Sequence, residues 1–167
     1  ATARFSTPGR VCLFGEHQDY LHLPVVPCAI SLRITVDAAH QRERMISIAL
    51  PDIGSREEFP LTEPLSYRHE RDYLRSGLNV MRRHRYSFDR GIRATVYSEI
   101  PINAGTSSSS ALLVTWVALL GCLSDQARRL SPEECARYAH EAEVLEFGEP
   151  GGPMDHYSTA LGGILAI

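Results

Sequence analysis

The sequence of 167 residues predicts one domain of the α+β class. Short apolar segments with the pattern of strands fill most of the first third of the chain. A stretch with helical spacing follows, then one more strand-like segment, and after it the patterns are helical. Strands that come first, followed by helices interleaved with a strand, are typical of an α+β domain.

The first third of the chain contains four predicted strands. GRVCLFGEH carries a short apolar run bounded by Gly9 and Gly15, and apolar and polar residues alternate from Ile30 to Val36. Two further short runs, RMISIAL and EEFPL, are separated by the turn-rich stretch PDIGS. We therefore expect strands over about residues 9–17, 29–39, 44–50 and 57–61.

The pattern changes to helical spacing at Asp72. Leu74, Leu78 and Met81 recur on one face, and Asp72 itself is a candidate N-cap. The basic run of residues 82–85 fits a solvated helix end, because cations are favoured at helix C-termini. GIRATVYSEI then returns to a strand pattern.

Three further helical segments are predicted in the rest of the chain. The segment after the four serines runs to about Leu123 and is apolar on nearly every face, so it is expected to be buried. SPEE begins the next helix with a capping-box pattern, and this helix is expected to reach about Phe147. After a Gly- and Pro-rich break, DHYSTAL predicts a short helix or turn, and ALGGILAI predicts the beginning of a strand.

The composition argues against several classes of function. Hydrophobic residues make up 44% and charged residues 22% of the chain, as in ordinary soluble proteins, and the net charge is −3. Without a basic field, nucleic-acid binding is not expected as the main function. The sequence contains neither a signal peptide nor a run long enough to span a membrane, so we expect no membrane association and a cytoplasmic location. The 4 cysteines lack the spacing of a zinc site or disulfide framework and are expected to be free thiols.

The four consecutive serines, residues 107–110, stand at the start of the apolar helix. A helix N-terminus has unpaired N–H groups and carries roughly +0.5 of an elementary charge, so it binds anions. One serine is enough for an N-cap, and four of them after Gly105 therefore favour a phosphate site over simple capping. The chain has no lysine for a Walker motif, and the run lacks the second glycine of a G-x-S-x-G elbow. The remaining interpretation is a nucleotide-binding loop that neutralises phosphate charge with the helix dipole, a metal and arginine instead of lysine.

Two other segments contain side chains suited to chemistry. Glu16, His17 and Asp19 follow Gly15 directly and suit a polyhydroxylated ligand, or they simply face water in a loop; a metal triad is less well supported. Asp155 stands in the turn EPGGPMDHY. It is either an N-cap or a general base and electrostatic partner for a substrate hydroxyl.

Taken together, these three segments resemble the GHMP kinases, the family of galactokinase, homoserine kinase, mevalonate kinase and phosphomevalonate kinase. PGRVCLFGEHQDY is similar to the galactokinase signature P-G-R-V-x-L-x-G-E-H-x-D-Y. IPINAGTSSSSAL resembles the second family motif, P-x-x-x-G-L-S-S-S-A or P-x-x-x-G-L-G-S-S-A. AEVLEFGEPGGPMDHY matches the galactokinase run A-E-x-x-F-x-G-x-P-x-G-x-M-D-Q at its Ala-Glu, Gly, Pro, Gly and Met-Asp positions.

This resemblance implies roles for individual residues. Asp155 corresponds to the catalytic aspartate that faces the accepting hydroxyl, and Arg10 to the arginine that stabilises charge beside it. The residues implied in sugar binding are Glu16, His17, Asp19 and Gly152. Those implied in phosphate binding are Gly105, Ser107, Ser108 and Ser109, and the implied metal ligands are Ser109 and Glu143. The implied activity is phosphorylation of the anomeric hydroxyl of a monosaccharide with ATP and Mg²⁺, as in galactokinase.

The resemblance also implies a domain organisation. Residues 1–167 correspond to the N-terminal, ATP-binding domain of the family, whose fold is similar to domain 2 of ribosomal protein S5, with a mixed or antiparallel sheet and helices packed on one side. The C-terminal domain of the family, which brings a third Gly-rich motif, has no counterpart in this sequence and is the implied partner. We therefore expect residues 1–167 alone to bind ATP weakly, to turn over negligible substrate and to expose an apolar docking face.

Three departures from the galactokinase pattern concern the sugar pocket more than the phosphate site. Leu21-His22-Leu23 stands where galactokinases have N-x-G, Thr106 stands where the family prefers Leu, and His156 replaces the usual Gln. The assignment as a kinase is therefore firmer than the assignment as a galactokinase. A mevalonate-type or other small-alcohol kinase and a catalytically silent sensor of sugar and ATP stay open as alternatives.

Overall fold

A computed structural model describes residues 2–101 and 105–167 and confirms the α+β class. Residues 102–104, within the IPINAGTSSSSAL motif, lie outside the described residues. The strands are β1 (Thr2–Phe14), β2 (Val26–Gln41), β3 (Met45–Leu50), β4 (Ser55–Pro60) and β5 (Gly91–Ser98). The α-helices are α1 (Tyr73–Arg83), α2 (Ser108–Leu123), α3 (Pro132–His140) and α4 (Met154–Leu161).

The strands form one mixed sheet in the order β1-β2-β5-β3-β4. Strands β3 and β5 are parallel, and the other neighbouring pairs are antiparallel. Alternate residues such as Val36, Ile48 and Ala94 are buried on one face of the sheet, where α2 and α4 pack on β1 and β2. The opposite face carries polar pairs such as Arg4 with Asp37. This arrangement confirms the prediction of a mixed sheet with helices on one side.

The two N-terminal strands are longer than the sequence pattern predicts. β1 already begins at Thr2, and β2 extends from Val26 to Gln41. Pro8 interrupts the apolar pattern, but β1 lies at the edge of the sheet, where a missing N–H group is tolerated. The register shifts between Pro8 and Arg10, so the strand pairing continues past the irregularity.

Helix α2 begins at Ser108, inside the serine run, and confirms the prediction of a buried central helix. It packs against β1, β2 and the other three α-helices, and Trp116 and Leu119 are among its fully buried residues. The capping box of α3 is also confirmed, because Ser131 Oγ accepts the Glu134 N–H and Glu134 accepts the Ser131 N–H. Both elements therefore form where the local pattern places them.

The helix that starts at Pro132 changes its geometry before the predicted end. Helix α3 stops at His140, and residues Glu141–Leu145 continue as one turn of π-helix, which we call the π segment. Such turns are rare, and they are frequent at functional sites. The π segment carries Glu143, one of the residues that the sequence assigns to metal binding.

Asp72 occupies the N-cap position of α1, as predicted, but its side chain makes no capping hydrogen bond. Its buried carboxylate lies 2.9 Å from Arg75 Nη1 instead and accepts the Arg68 N–H, because a buried carboxylate needs a paired cation. The basic run lies at the C-terminal end of α1 with Arg83 and Arg85 exposed, as predicted, and in addition Arg83 pairs with Glu146 and His84 with Glu141.

The segment ALGGILAI is only the beginning of a strand, as predicted. Its backbone runs antiparallel to residues 25–29, with hydrogen bonds between Ala29 and Gly163 and between Val25 and Ile167. A single bridge joins Cys28 and Ile164. Over residues 2–101 and 105–167, the helices are all too short or too polar to cross a membrane.

Candidate active site

Two cavities meet at the pair formed by Arg10 and Asp155, which line both of them. The larger cavity has a volume of about 460 Å³ and reaches from the serine run to the surface of the sheet. The smaller one, about 200 Å³, is lined by the loop after β1, the π segment and the start of α4. A cavity of the larger size is typical of a small-molecule site.

Arg10 joins the two sides of the site through its guanidinium group. The side chain is buried, Nε donates to Asp155 Oδ1 at 2.7 Å, and Nη2 forms an ion pair with the same oxygen at 2.7 Å. Nη1 donates to the carbonyl oxygen of Gly105, also at 2.7 Å. One rigid cation therefore fixes the carboxylate on α4 relative to the loop that precedes α2.

The residue before Arg10 explains how β1 comes so close to this loop. A Cβ atom on Gly9 would lie 2.9 Å from the carbonyl oxygen of Thr106. With glycine at this position, the Arg10 N–H donates to the same carbonyl at 3.2 Å. The strand and the loop therefore contact each other through their backbones, as glycine permits and larger residues do not.

Asp155 lies in the first turn of α4 and does not cap the helix. The N-cap position is occupied by Pro153, and α4 has no side-chain cap. The carboxylate points at Arg10 instead and lines both cavities. The N-terminal end of the helix dipole favours a negative charge at this position. Of the two interpretations of Asp155, capping is excluded.

The serine at the N-cap position of α2 does not cap the helix through its side chain either. Ser107 has a left-handed backbone, with φ of 57°, and its side chain makes no capping hydrogen bond. Its Oγ atom is buried and has no hydrogen-bond partner among the described residues. Ser108 and Ser109 are half-buried and line the larger cavity, and around Gly105 the space for a Cβ atom is open. The N-terminus of α2 thus faces the cavity with a Ser107 hydroxyl that no residue among 2–101 and 105–167 engages.

Glu143 is the buried carboxylate of the π segment. Its Oε2 atom accepts the Ser110 hydroxyl at 2.7 Å and lies 2.7 Å from His156 Nε2. Burial alone raises the pKa of this carboxyl, but the hydrogen bond and electrostatic attraction of His156, together with the nearby hydroxyls of Ser109 and Ser110, outweigh burial and hold the pKa below its usual range. Glu143 is therefore a charged acceptor beside the serine run.

The loop after β1 places the predicted sugar-binding residues around the smaller cavity. Glu16 and His17 are exposed, while Asp19 begins a short 3₁₀ turn and is half-buried. Asp19 Oδ2 accepts the Met154 N–H at 3.1 Å. A Cβ atom on Gly152 would lie 2.1 Å from the same oxygen, so only glycine fits there. Asp19 thus ties the loop after β1 to the start of α4.

Outside these cavities, one cluster of the described residues has the composition of a cation site. Ligand atoms of Glu57, His69 and Asp72 lie within 4.8 Å of one another. Arg75 already pairs with both carboxylates, at 2.9 Å from Asp72 and 3.4 Å from Glu57. This arginine supplies the positive charge that a metal ion would otherwise bring.

Two sets of site residues were not predicted from the sequence: the hydrogen-bond partners of Glu143 and the wall of the larger cavity. Ser110 and His156 are the hydrogen-bond partners of Glu143, although only Ser109 was assigned beside it. Burial, with Glu143 and Glu149 nearby, raises the pKa of Tyr73 to about 12, so this residue enters the cavity wall as a neutral phenol. The apolar wall of the larger cavity comes from separate elements and has no local signal in the sequence: Leu50, Ile53, Tyr73, Val96 and Leu112.

Comparison with known proteins gives two matching family profiles. The profile described as GHMP kinases N terminal domain matches residues 72–163, and the galactokinase galactose-binding signature matches residues 1–40. The mevalonate kinase of Pyrococcus furiosus is 31% identical over 96% of this chain and 50% of its own length. A galactokinase of Clostridium perfringens is 34% identical over 96% of this chain and 42% of its own length.

Solved structures have the same fold. The crystal structure of Lactococcus lactis galactokinase complexed with galactose superposes with a TM-score of 0.84 and 25% identity, over 96% of this chain and 42% of that chain. The chain spans half or less of the length of these curated relatives. The matched profile, the fold and the three motifs agree, and the chain belongs to the GHMP kinase family as a counterpart of its N-terminal domain.

Proposed function

We propose that this domain belongs to an ATP-dependent kinase that phosphorylates the anomeric hydroxyl of a monosaccharide. The observation that carries this proposal is the meeting of two cavities at Arg10 and Asp155. One cavity is lined by a helix N-terminus and its serine hydroxyls, and the other by acceptors suited to hydroxyl groups. Phosphoryl transfer needs this arrangement, in which the two substrates approach each other at a charged junction.

The larger cavity suits the nucleotide. The Ser107 hydroxyl, which no described residue engages, and the N–H groups at the start of α2 can donate to phosphate oxygens, with Gly105, Ser108 and Ser109 around them. Ser109 in the wall of the larger cavity and the negatively charged Glu143 in the wall of the smaller one would supply the hard oxygen ligands that Mg²⁺ prefers. Magnesium, when bound, neutralises charge on the phosphates.

The smaller cavity suits the sugar. Glu16, His17 and Asp19 present acceptors and donors at different positions of its wall, and the lack of a side chain at Gly152 lets the Asp19 carboxylate pack against the start of α4. Asp155 orients or deprotonates the accepting hydroxyl, while Arg10 stabilises negative charge on the group that moves. The match of residues 1–40 to the galactokinase galactose-binding signature supports a sugar as acceptor.

A mevalonate-type kinase is the second candidate. It is favoured by the mevalonate kinase of Pyrococcus furiosus, which is 31% identical to this chain. The cluster of Glu16, His17 and Asp19 instead favours a sugar as the acceptor substrate, because three polar side chains in one small cavity suit several hydroxyl groups.

Release of ADP by the intact protein tests these candidates directly. We would supply Mg-ATP with a panel of monosaccharides, mevalonate and homoserine, and expect turnover with a sugar. Turnover of mevalonate alone would move the assignment to the second candidate. Binding of both sugar and ATP without any ADP release would instead identify a catalytically silent sensor.

We further propose that a second domain of the same protein docks on this one. Exposed apolar side chains lie along three adjacent segments, which are the end of β1, the loop after it, and the segment paired with residues 25–29: Leu13, Phe14, Leu21, Leu23, Ile164 and Ile167. Monomeric proteins rarely expose apolar groups so close together. The chain also covers only half or less of its relatives, which leaves room for such a domain.

Residues 1–167 alone are therefore expected to bind ATP weakly and to release negligible ADP, whereas the intact protein turns over. Calorimetric titration with ATP and an ADP-release assay on both proteins check this expectation. Robust turnover by the 167-residue chain would contradict the need for a second domain.

A further inference from the structure

His156 stands next to Asp155 on α4 but faces away from the catalytic carboxylate. The ring is only 2% exposed, and Nε2 lies 2.7 Å from Glu143 Oε2. The Ser110 hydroxyl donates to the same oxygen at 2.7 Å. Both contacts therefore hold the Oε2 edge of the Glu143 carboxylate.

The other ring nitrogen shows why a histidine is unusual here. His156 Nδ1 is buried and has no partner within residues 2–101 and 105–167. The ring packs edge-on against His140, with centroids 5.1 Å apart. A buried polar atom without a partner is destabilising. An apolar side chain would fill the same space without an unpaired nitrogen. The advantage of an imidazole at this position is therefore its contact with Glu143.

We propose that His156 is a positioning residue: it fixes the carboxylate of Glu143 so that the carboxylate binds the cation that accompanies the nucleotide. This inference rests on the proposed function. Because His156 follows Asp155 on the same helix, the metal ligand and the catalytic carboxylate are held by one rigid element. Hydrogen bonds to a ligating carboxylate orient it, and their loss typically weakens metal binding about 10–100-fold.

The test compares four variants of the intact protein. His156→Leu removes the donor, His156→Gln places an amide nitrogen near the position of Nε2, and His156→Asn is too short to do so. His84→Leu is the matched control, because His84 makes a similar contact of 2.8 Å with Glu141 outside the site. Mn²⁺ affinity is measured by electron paramagnetic resonance with a non-hydrolysable ATP analogue, beside thermal unfolding and nucleotide affinity without metal.

We expect His156→Leu and His156→Asn to weaken Mn²⁺ binding about 10–100-fold, with nucleotide affinity in the absence of metal unchanged. His156→Gln should bind Mn²⁺ nearly as the wild type does, and His84→Leu should not differ from it. If His156→Leu does not fold, the comparison of the Gln and Asn variants decides. Equal Mn²⁺ affinity in those two variants would overturn the inference. Failure of the wild type to bind Mn²⁺ with the nucleotide would overturn the proposed function as well.

Discussion

Asp155→Asn is expected to lower kcat of the intact kinase by about 10²–10⁴-fold, the usual contribution of a general base. The substitution keeps the size of the side chain and removes its negative charge and its ability to take a proton. Asp155 lines both cavities and makes no capping contact, so we expect the substitution to lower kcat without destabilising α4. ADP release under saturating substrates measures the change.

The fold and the nucleotide site should survive this substitution. The asparagine side-chain oxygen can still accept from Arg10, and the serine run at α2 is untouched. We therefore expect ATP affinity within a few-fold of the wild type. Glu149→Gln is the matched control, since Glu149 lines the same smaller cavity but pairs with Arg71 away from the junction. Turnover of Asp155→Asn close to that of Glu149→Gln would remove Asp155 from the mechanism.

Much of the site could be predicted because each of its parts is short and continuous in the sequence. Arg10 and Asp19 belong to one segment, and Gly105 and Ser109 to another. The family resemblance assigns such residues by position, without knowledge of the contacts between segments. The structure then brings Arg10 against Asp155 and the Gly105 carbonyl, although 145 and 95 residues separate them in the sequence.

The parts that could not be predicted depend on packing between segments. Helical periodicity predicts a helix through residue 147, but it does not distinguish an α-helical from a π-helical turn at Glu143. That turn and the packing of α4 decide which hydroxyl meets the carboxylate. Here Ser110 donates to Glu143, while Ser109 lines the cavity. Within a run of identical serines, no local pattern separates these two roles.

Burial explains in the same way why the side chain of Asp72, at the N-cap position of α1, makes no capping hydrogen bond. Asp72 has the sequence position of an N-cap, and an exposed aspartate there would cap the helix. Its carboxylate is only 1% exposed, and Arg75 is buried beside it. A buried charge is costly unless it is paired, so the ion pair takes precedence over the weaker capping contact. The burial of both residues follows from the packing of α1 against α2 and of Arg75 over the Phe59 ring, which the sequence of α1 does not specify.

Arg10→Lys is the second substitution with a large expected effect, although it conserves the charge. The guanidinium uses Nε and Nη2 on Asp155 and Nη1 on the Gly105 carbonyl. A single ammonium group on a flexible stem does not reproduce this planar fork. We expect kcat to fall about 10²–10³-fold, the range found when one preorganised donor to a developing charge is removed. Steady-state kinetics of ADP release checks this.

The control for Arg10→Lys is Arg4→Lys, because Arg4 also pairs with an aspartate through two nitrogens, but on the exposed face of the sheet. Solvent-exposed pairs contribute little, so this variant should retain the turnover and unfolding temperature of the wild type. If Arg10→Lys retained turnover as well, charge alone would suffice at the junction. A selective loss would instead mean that the geometry of the guanidinium, which holds the phosphate loop and the catalytic carboxylate together, is what the reaction requires. This distinction matters because the chain has arginine and no lysine, and Arg10 is the buried cation at the point where the two cavities meet.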